Sequence, residues 1–129
     1  MLKVIASLKN AFIGLKYCFV TQRNMAIHLI FGLIVVLFAL FFKLTGIEYL
    51  FIISAVALVL VAESFNTAVE KTIDLYTSER NCTAKIAKDV AAGAVLLTAI
   101  YAVIVGFFIL GPPFWNLLKN TLNLIMHRG

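Results

Sequence analysis

The chain has 129 residues, 63% of them hydrophobic and 13% charged, with a mean hydropathy of +1.03. Water-soluble domains are usually about 45–50% apolar and about 25% charged, and a chain this short buries too small a share of its surface to hide the excess. The net charge of +5 comes from basic residues that form neither a run nor a face interleaved with aromatics. A nucleic-acid partner is therefore excluded, and the expected fold class is all-α, a single membrane domain over residues 1–129 set in a lipid bilayer.

Residues 1–24 come first. Ile5, Leu8, Phe12, Leu15 and Phe19 recur at steps of three and four, while Lys9, Lys16 and Arg23 repeat every seven on another face. An apolar stripe beside a basic one suits an amphipathic helix lying in the membrane interface. The run Ala26 to Phe42 is the first spanning segment, closed by Lys43 and a Thr45-Gly46 turn. Ile47 to Ala62 is the second, and it continues as a cytoplasmic helix to about residue 76. A third helix is expected over residues 85–110, with Ala91 to Leu110 crossing the membrane and Gly111-Pro112-Pro113 stopping it. Residues 114–129 form a C-terminal tail compatible with a short interfacial helix. Asn24 reads as a helix cap and His28 as a structural hydrogen-bonder at the membrane edge.

Charge sets the expected orientation. Lys3, Lys9, Lys16 and Arg23 precede the first span, and Lys71, Arg80, Lys85 and Lys88 lie between the second and third; Lys43, Lys119 and Arg128 fall on the opposite side. With three spans this bias places the N-terminus and the polar segment in the cytoplasm. No cleavable signal peptide is expected. Cys18 and Cys82 are isolated, which argues against a disulfide or a zinc site.

The stretch Ala62 to Asn81, AESFNTAVEKTIDLYTSERN, carries the chemistry. On a continuous helix, Glu63, Asn66, Glu70 and Asp74 fall within an arc of about 80° and extend over roughly 16 Å. Like charges so spaced weaken a helix, and a carboxylate at the edge of the hydrocarbon costs about 2–3 kcal/mol unless it meets protein, water or a cation. A compensating positive charge is expected from a divalent metal, from Lys88 of the third helix, or from both. Hard oxygen donors with no thiolates or histidines nearby in the sequence favour magnesium. Ala87, Ala91, Ala92, Gly93 and Ala94 let the third helix approach closely, which brings Lys88 toward Glu70 or Asp74. The chain has no GxxxxGK[ST], GxGxxG or Gly-x-Ser-x-Gly motif, so P-loop, Rossmann and hydrolase-elbow sites are ruled out.

Glu63-Ser-Phe-Asn66-Thr-Ala-Val-Glu70 followed by Asp74, and Ala87-Lys88-Asp89-Val-Ala-Ala-Gly-Ala-Val, together with Gly14-Leu-Lys, Arg23-Asn24 and Ile27-His28, resemble the small prokaryotic diacylglycerol kinase family, which includes undecaprenol kinases. The resemblance spans roughly Leu2 to Leu110. It implies a homotrimeric lipid kinase of the bacterial inner membrane, with active sites between subunits, that moves the γ-phosphoryl group of ATP-Mg²⁺ to the hydroxyl of a membrane lipid alcohol, giving phosphatidic acid or undecaprenyl phosphate. By the same resemblance Glu63 is the general base, Asn66 orients the site, and Glu70 is a magnesium ligand. Lys88 and Asp89 bind nucleotide, with Lys88 on phosphate. Asp74, Glu79, Arg80 and Asn81 lie near the nucleotide, and Asn10 and Lys3 are weaker matches on the surface helix. Many members carry Glu where this chain has Gln22, a position that serves metal and nucleotide; Gln22 keeps a carbonyl oxygen and loses the charge. The wording at Asn66-Thr67 and Ile27-His28 looks more like the undecaprenol-preferring branch.

Two other classes fit the composition. A small proton-coupled transporter would use Glu63 as its titrating group, but the acids cluster at one membrane edge and not deep in a span. A non-catalytic assembly subunit leaves the acidic face and the Lys88-Asp89 pair without a role.

Overall fold

A computed structural model describes residues 1–76 and 81–126. Its elements are α1 (Leu2–Thr21), α2 (Arg23–Phe41), α3 (Gly46–Tyr76) and α4 (Cys82–Met126), with no strand among the described residues. All four helices are long and apolar enough to cross a membrane by length and composition, α1 being the least apolar. The accessible surface is 10141 Å², where a compact soluble protein of this mass exposes about 6,800 Å². Most large apolar side chains on α2, α3 and α4 face outward. A chain built this way has lipid as its solvent, which identifies an integral membrane protein.

Each helix boundary has a local cause. Gln22 is extended, at φ −102° and ψ 112°, and separates α1 from α2. The expected cap at Asn24 is not there: α2 begins at Arg23, and its N-cap, Gln22, makes no side-chain capping bond. At the other end of α2, Lys43 takes a left-handed φ of 52°. Its N–H donates to the Leu40 carbonyl and that of Leu44 to the Ala39 carbonyl, the Schellman pattern that occupies the last free carbonyls of a helix. Thr45 and Glu48 then form a capping box for α3: the Thr45 N–H and hydroxyl donate to Glu48 Oε2 at 2.8 and 2.7 Å, and the Glu48 N–H returns to Thr45 Oγ1 at 3.4 Å. Asn81 caps α4, its Oδ1 accepting from the N–H groups of Thr83 and Ala84.

The expected stop at Gly111-Pro112-Pro113 is overturned. Both prolines lie inside α4, which runs unbroken to Met126. They remove two backbone donors, yet the helix continues across them. Aromatic packing holds the extension alongside α2: the Phe114 ring lies 6.2 Å from those of Phe38 and Phe42, edge to face. The residues expected to form a separate tail, as far as Met126, are therefore the last turns of α4. With a rise of about 1.5 Å per residue, α3 and α4 are roughly 46 and 68 Å long, against a hydrocarbon core of about 30 Å. Both must project beyond the membrane.

Helix α3 is the hub. It packs along α4 over the longest contact and against α2 over a shorter one, while α1 touches α2 and, lightly, α3. The α2–α3 approach depends on Gly32, where an added Cβ would lie 2.7 Å from Val56 Cγ1. Val56 is β-branched and its χ1 is stiff, so it yields poorly. Gly32→Ala is expected to cost about 1–3 kcal/mol, read as earlier unfolding in a denaturing-detergent titration. Pairing it with Val56→Ala should restore most of the loss; no recovery in the double variant would show that the contact is not the cause.

Candidate functional site

The apolar stretch of α3 gives way to polar residues at Glu63 without a break in the helix. Glu63, Asn66 and Thr67 are only 3%, 6% and 2% exposed, and they are the buried polar residues of the described chain. The Thr67 hydroxyl donates to the Glu63 carbonyl at 2.9 Å, so its burial is satisfied within the helix. Asn66 Nδ2 donates to Glu70 Oε1 at 3.2 Å, one turn on. An ionised carboxylate can only accept, which fixes the amide's orientation. Asn66 Oδ1 is left buried without a partner, and a buried acceptor of this kind invites a donor or a cation from outside the chain.

Asp74 stands at the wet end of the same face. Lys88 Nζ, on α4, donates to Asp74 Oδ1, on α3, at 2.6 Å. The bond to Lys88, aided by its charge and that of Lys71, holds the Asp74 carboxyl below the usual carboxylate range. The pair is about half exposed, and such pairs add little to stability. Lys88 thus meets Asp74, one of the two acidic partners expected for it. Asp89 is exposed on the next position of α4.

The other expected site residues are placed less closely. Gln22 is half-buried at the α1–α2 junction, its Nε2 donating to Thr21 Oγ1 at 3.1 Å. Asn10 and Lys3 are exposed on α1. Asn81 spends its side-chain oxygen on capping α4. Glu79 and Arg80 lie outside the described residues. Sequence reasoning gave too little to His28, which sits within electrostatic reach of Glu63. Nothing in the sequence could show this, because it depends on the register of α2 against α3.

Among the described residues no three His, Cys, Asp or Glu side chains gather into a metal cluster. Magnesium does not demand one: it commonly takes one or two carboxylates and completes its shell with water and phosphate oxygens. The unpartnered Asn66 oxygen beside the Glu70 carboxylate is the kind of hard donor set that fits it.

A buried carboxylate at the end of the apolar stretch of a membrane-crossing helix, followed by further acids on the same face and met by a lysine of the next helix, marks an integral membrane protein with a polar site. Residues 9–110 match the family model for prokaryotic diacylglycerol kinase. The chain is 42% identical over 116 residues to a diacylglycerol kinase of Synechocystis, a match covering 89% of this chain and 66% of that protein. It is 36% identical over 92 residues to an undecaprenol kinase of Bacillus subtilis, covering 71% of this chain and 75% of that one. The chain belongs to the prokaryotic diacylglycerol kinase family, a class of membrane lipid kinases.

Proposed function

We propose that this protein is an ATP- and Mg²⁺-dependent lipid kinase that phosphorylates the hydroxyl of a membrane lipid alcohol, either undecaprenol or diacylglycerol. The observation that carries the reading is the buried Glu63 carboxylate at the apolar-to-polar junction of α3, followed on the same face by Asn66 and Glu70. Phosphoryl transfer asks mainly for positioning and charge neutralisation, and this face offers both in order, from lipid to water.

Glu63 takes the proton of the lipid hydroxyl as that oxygen attacks the γ-phosphorus of ATP; the bond to the β-phosphate oxygen breaks and ADP leaves. A base at the membrane edge reaches a hydroxyl whose tail never leaves the bilayer. Asn66 holds the Glu70 carboxylate in place and keeps its own carbonyl oxygen free. Lys88 supplies positive charge to the phosphates, and because its contact with Asp74 is exposed, phosphate competes for it readily. Glu70, with the carbonyl oxygen of Gln22, would hold Mg²⁺, whose charge offsets that of the phosphates. Asn10, Asp74, Asn81 and Asp89, with Glu79 and Arg80, complete the proposed nucleotide side. We place the N-terminus and this site on the cytoplasmic side of a bacterial cell membrane, on the eight-to-three distribution of Lys and Arg, with α1 as an interfacial helix. Assembly into a homotrimer is part of this reading on the family resemblance alone.

The test is transfer from γ-labelled ATP in magnesium-containing mixed micelles, offered diacylglycerol and undecaprenol separately. Labelled phosphatidic acid or undecaprenyl phosphate is expected. Folded protein that labels neither lipid at saturating ATP and magnesium would overturn the reading.

A further inference from the structure

Helix α2 presents a seam to α3. Its buried residues are Met25, Gly32 and Ala39, spaced by two turns each, and a Cβ added at Gly32 would lie 2.7 Å from Val56 Cγ1. That contact sets the antiparallel register of the two helices. On α2, His28 stands one turn before Gly32, about 40° round the helix. On α3, Glu63 stands two turns beyond Val56, about 20° round. Both therefore point into the seam, and their levels along it differ by roughly 4–5 Å at the usual rise per residue. The cavity between α2, α3 and α4 agrees with this placement: His28 lines it together with Val59, one turn from Glu63.

Along α3, the buried residues Ile52, Ala55, Val59, Glu63 and Asn66 succeed one another at steps of three and four. Glu63 thus holds a seam position that apolar side chains fill in the preceding turns. A carboxylate there needs a compensating group. His28 is the neighbour whose charge acts on Glu63 in favour of the carboxylate, while Glu70, on the same helix, acts against it. The other charges on the surrounding helices are turned elsewhere. Lys88 of α4 is bonded to Asp74, and Lys16 of α1, Arg23 of α2, Lys71 of α3 and Asp89 of α4 are exposed.

We propose that His28 is a positioning residue of the phosphoryl transfer, its imidazole keeping Glu63 in the ionised form that can accept the proton of the acceptor's hydroxyl. A dry site favours the protonated acid, and a protonated acid cannot serve as a base. Histidine suits the task because it can offer a positive charge near neutral pH. This inference rests on the lipid-kinase reading and gives its proposed base a partner on another helix.

The test measures kcat against pH for wild type, His28→Gln and His28→Lys, in magnesium-containing micelles of dioleoylglycerol or undecaprenol at saturating ATP. His28→Gln keeps a polar side chain and loses the charge. Its kcat is expected to fall about tenfold at the acid end of the profile and to approach wild type as pH rises, with KM for ATP unchanged. His28→Lys keeps a charge, and its flexible stem lets the ammonium reach the membrane edge, so it should hold the wild-type profile. A loss equal at every pH, or shared by both variants, marks a structural role and overturns the proposal, as does an unchanged profile in His28→Gln.

A second readout does not use turnover. The Glu63 titration, followed by carboxyl-carbon NMR in detergent, is expected to move to higher pH in His28→Gln and to stay in place in His28→Lys. An unmoved titration in His28→Gln overturns the proposal even where activity falls. If folded wild type phosphorylates neither lipid, the kinase reading fails and the role of His28 in transfer fails with it. A moved titration would in that case show that the two groups are coupled for another purpose.

Discussion

Glu63→Gln is expected to lower lipid phosphorylation by about 10²–10⁴-fold, the contribution usual for a positioned general base. The substitution keeps the shape of the side chain and removes only its ability to take a proton. Because Glu63 is 3% exposed in the single chain, it also relieves the cost of a carboxylate at the membrane edge. Thermal stability should therefore hold or rise while kcat falls, with little change in KM for ATP. That combination separates a chemical role from a structural one. Retained kcat, or lost activity explained entirely by unfolding, would remove Glu63 from the mechanism.

Lys88→Met should act differently. Charge-assisted hydrogen bonds to phosphate are among the stronger polar contacts, so KM for ATP is expected to rise about 10- to 100-fold. The lipid acceptor's KM should stay nearly constant, since Lys88 lies at the wet end of the face. The same variant has a signature independent of turnover. Asp74 is held below the usual carboxylate range chiefly by its bond to Lys88, so the pair's small contribution is present at neutral pH and is lost only as pH falls through that lowered value. In Lys88→Met the Asp74 titration, followed by carboxyl-carbon NMR, should move up toward the ordinary range. An unmoved titration would show that the 2.6 Å contact does not persist in solution, and an unchanged KM for ATP would remove Lys88 from the nucleotide site.

The sequence made the acidic face legible because a single helix period links Glu63, Asn66, Glu70 and Asp74, and no tertiary knowledge is needed to align them. The meeting of Lys88 with this face was legible from the small residues that let α4 approach α3 closely, but the sequence left Glu70 and Asp74 both open as its partner. Gly111-Pro112-Pro113 misled because the local rule for proline assumes that water will receive the freed carbonyls. In α4 the apolar surroundings and the Phe38–Phe42–Phe114 cluster favour keeping the helix. Asn24 looked like the better cap by residue type, but the chain turns at Gln22, whose side chain caps nothing. His28 was beyond reach, since its placement near Glu63 depends on how α2 is set against α3, and a periodic pattern on one helix carries no information about a neighbour's register. Asn81 shows a residue with two readings: it caps α4 whatever else it contacts.

The most direct test of the account is recovery of label in a lipid-extractable phosphomonoester after wild-type protein and Glu63→Gln are each given γ-labelled ATP, Mg²⁺ and lipid alcohol in micelles. Label in the lipid from wild type, and its near absence from an equally folded Glu63→Gln protein, is the expected result. Equal labelling by the two proteins, or none by folded wild type, would contradict it.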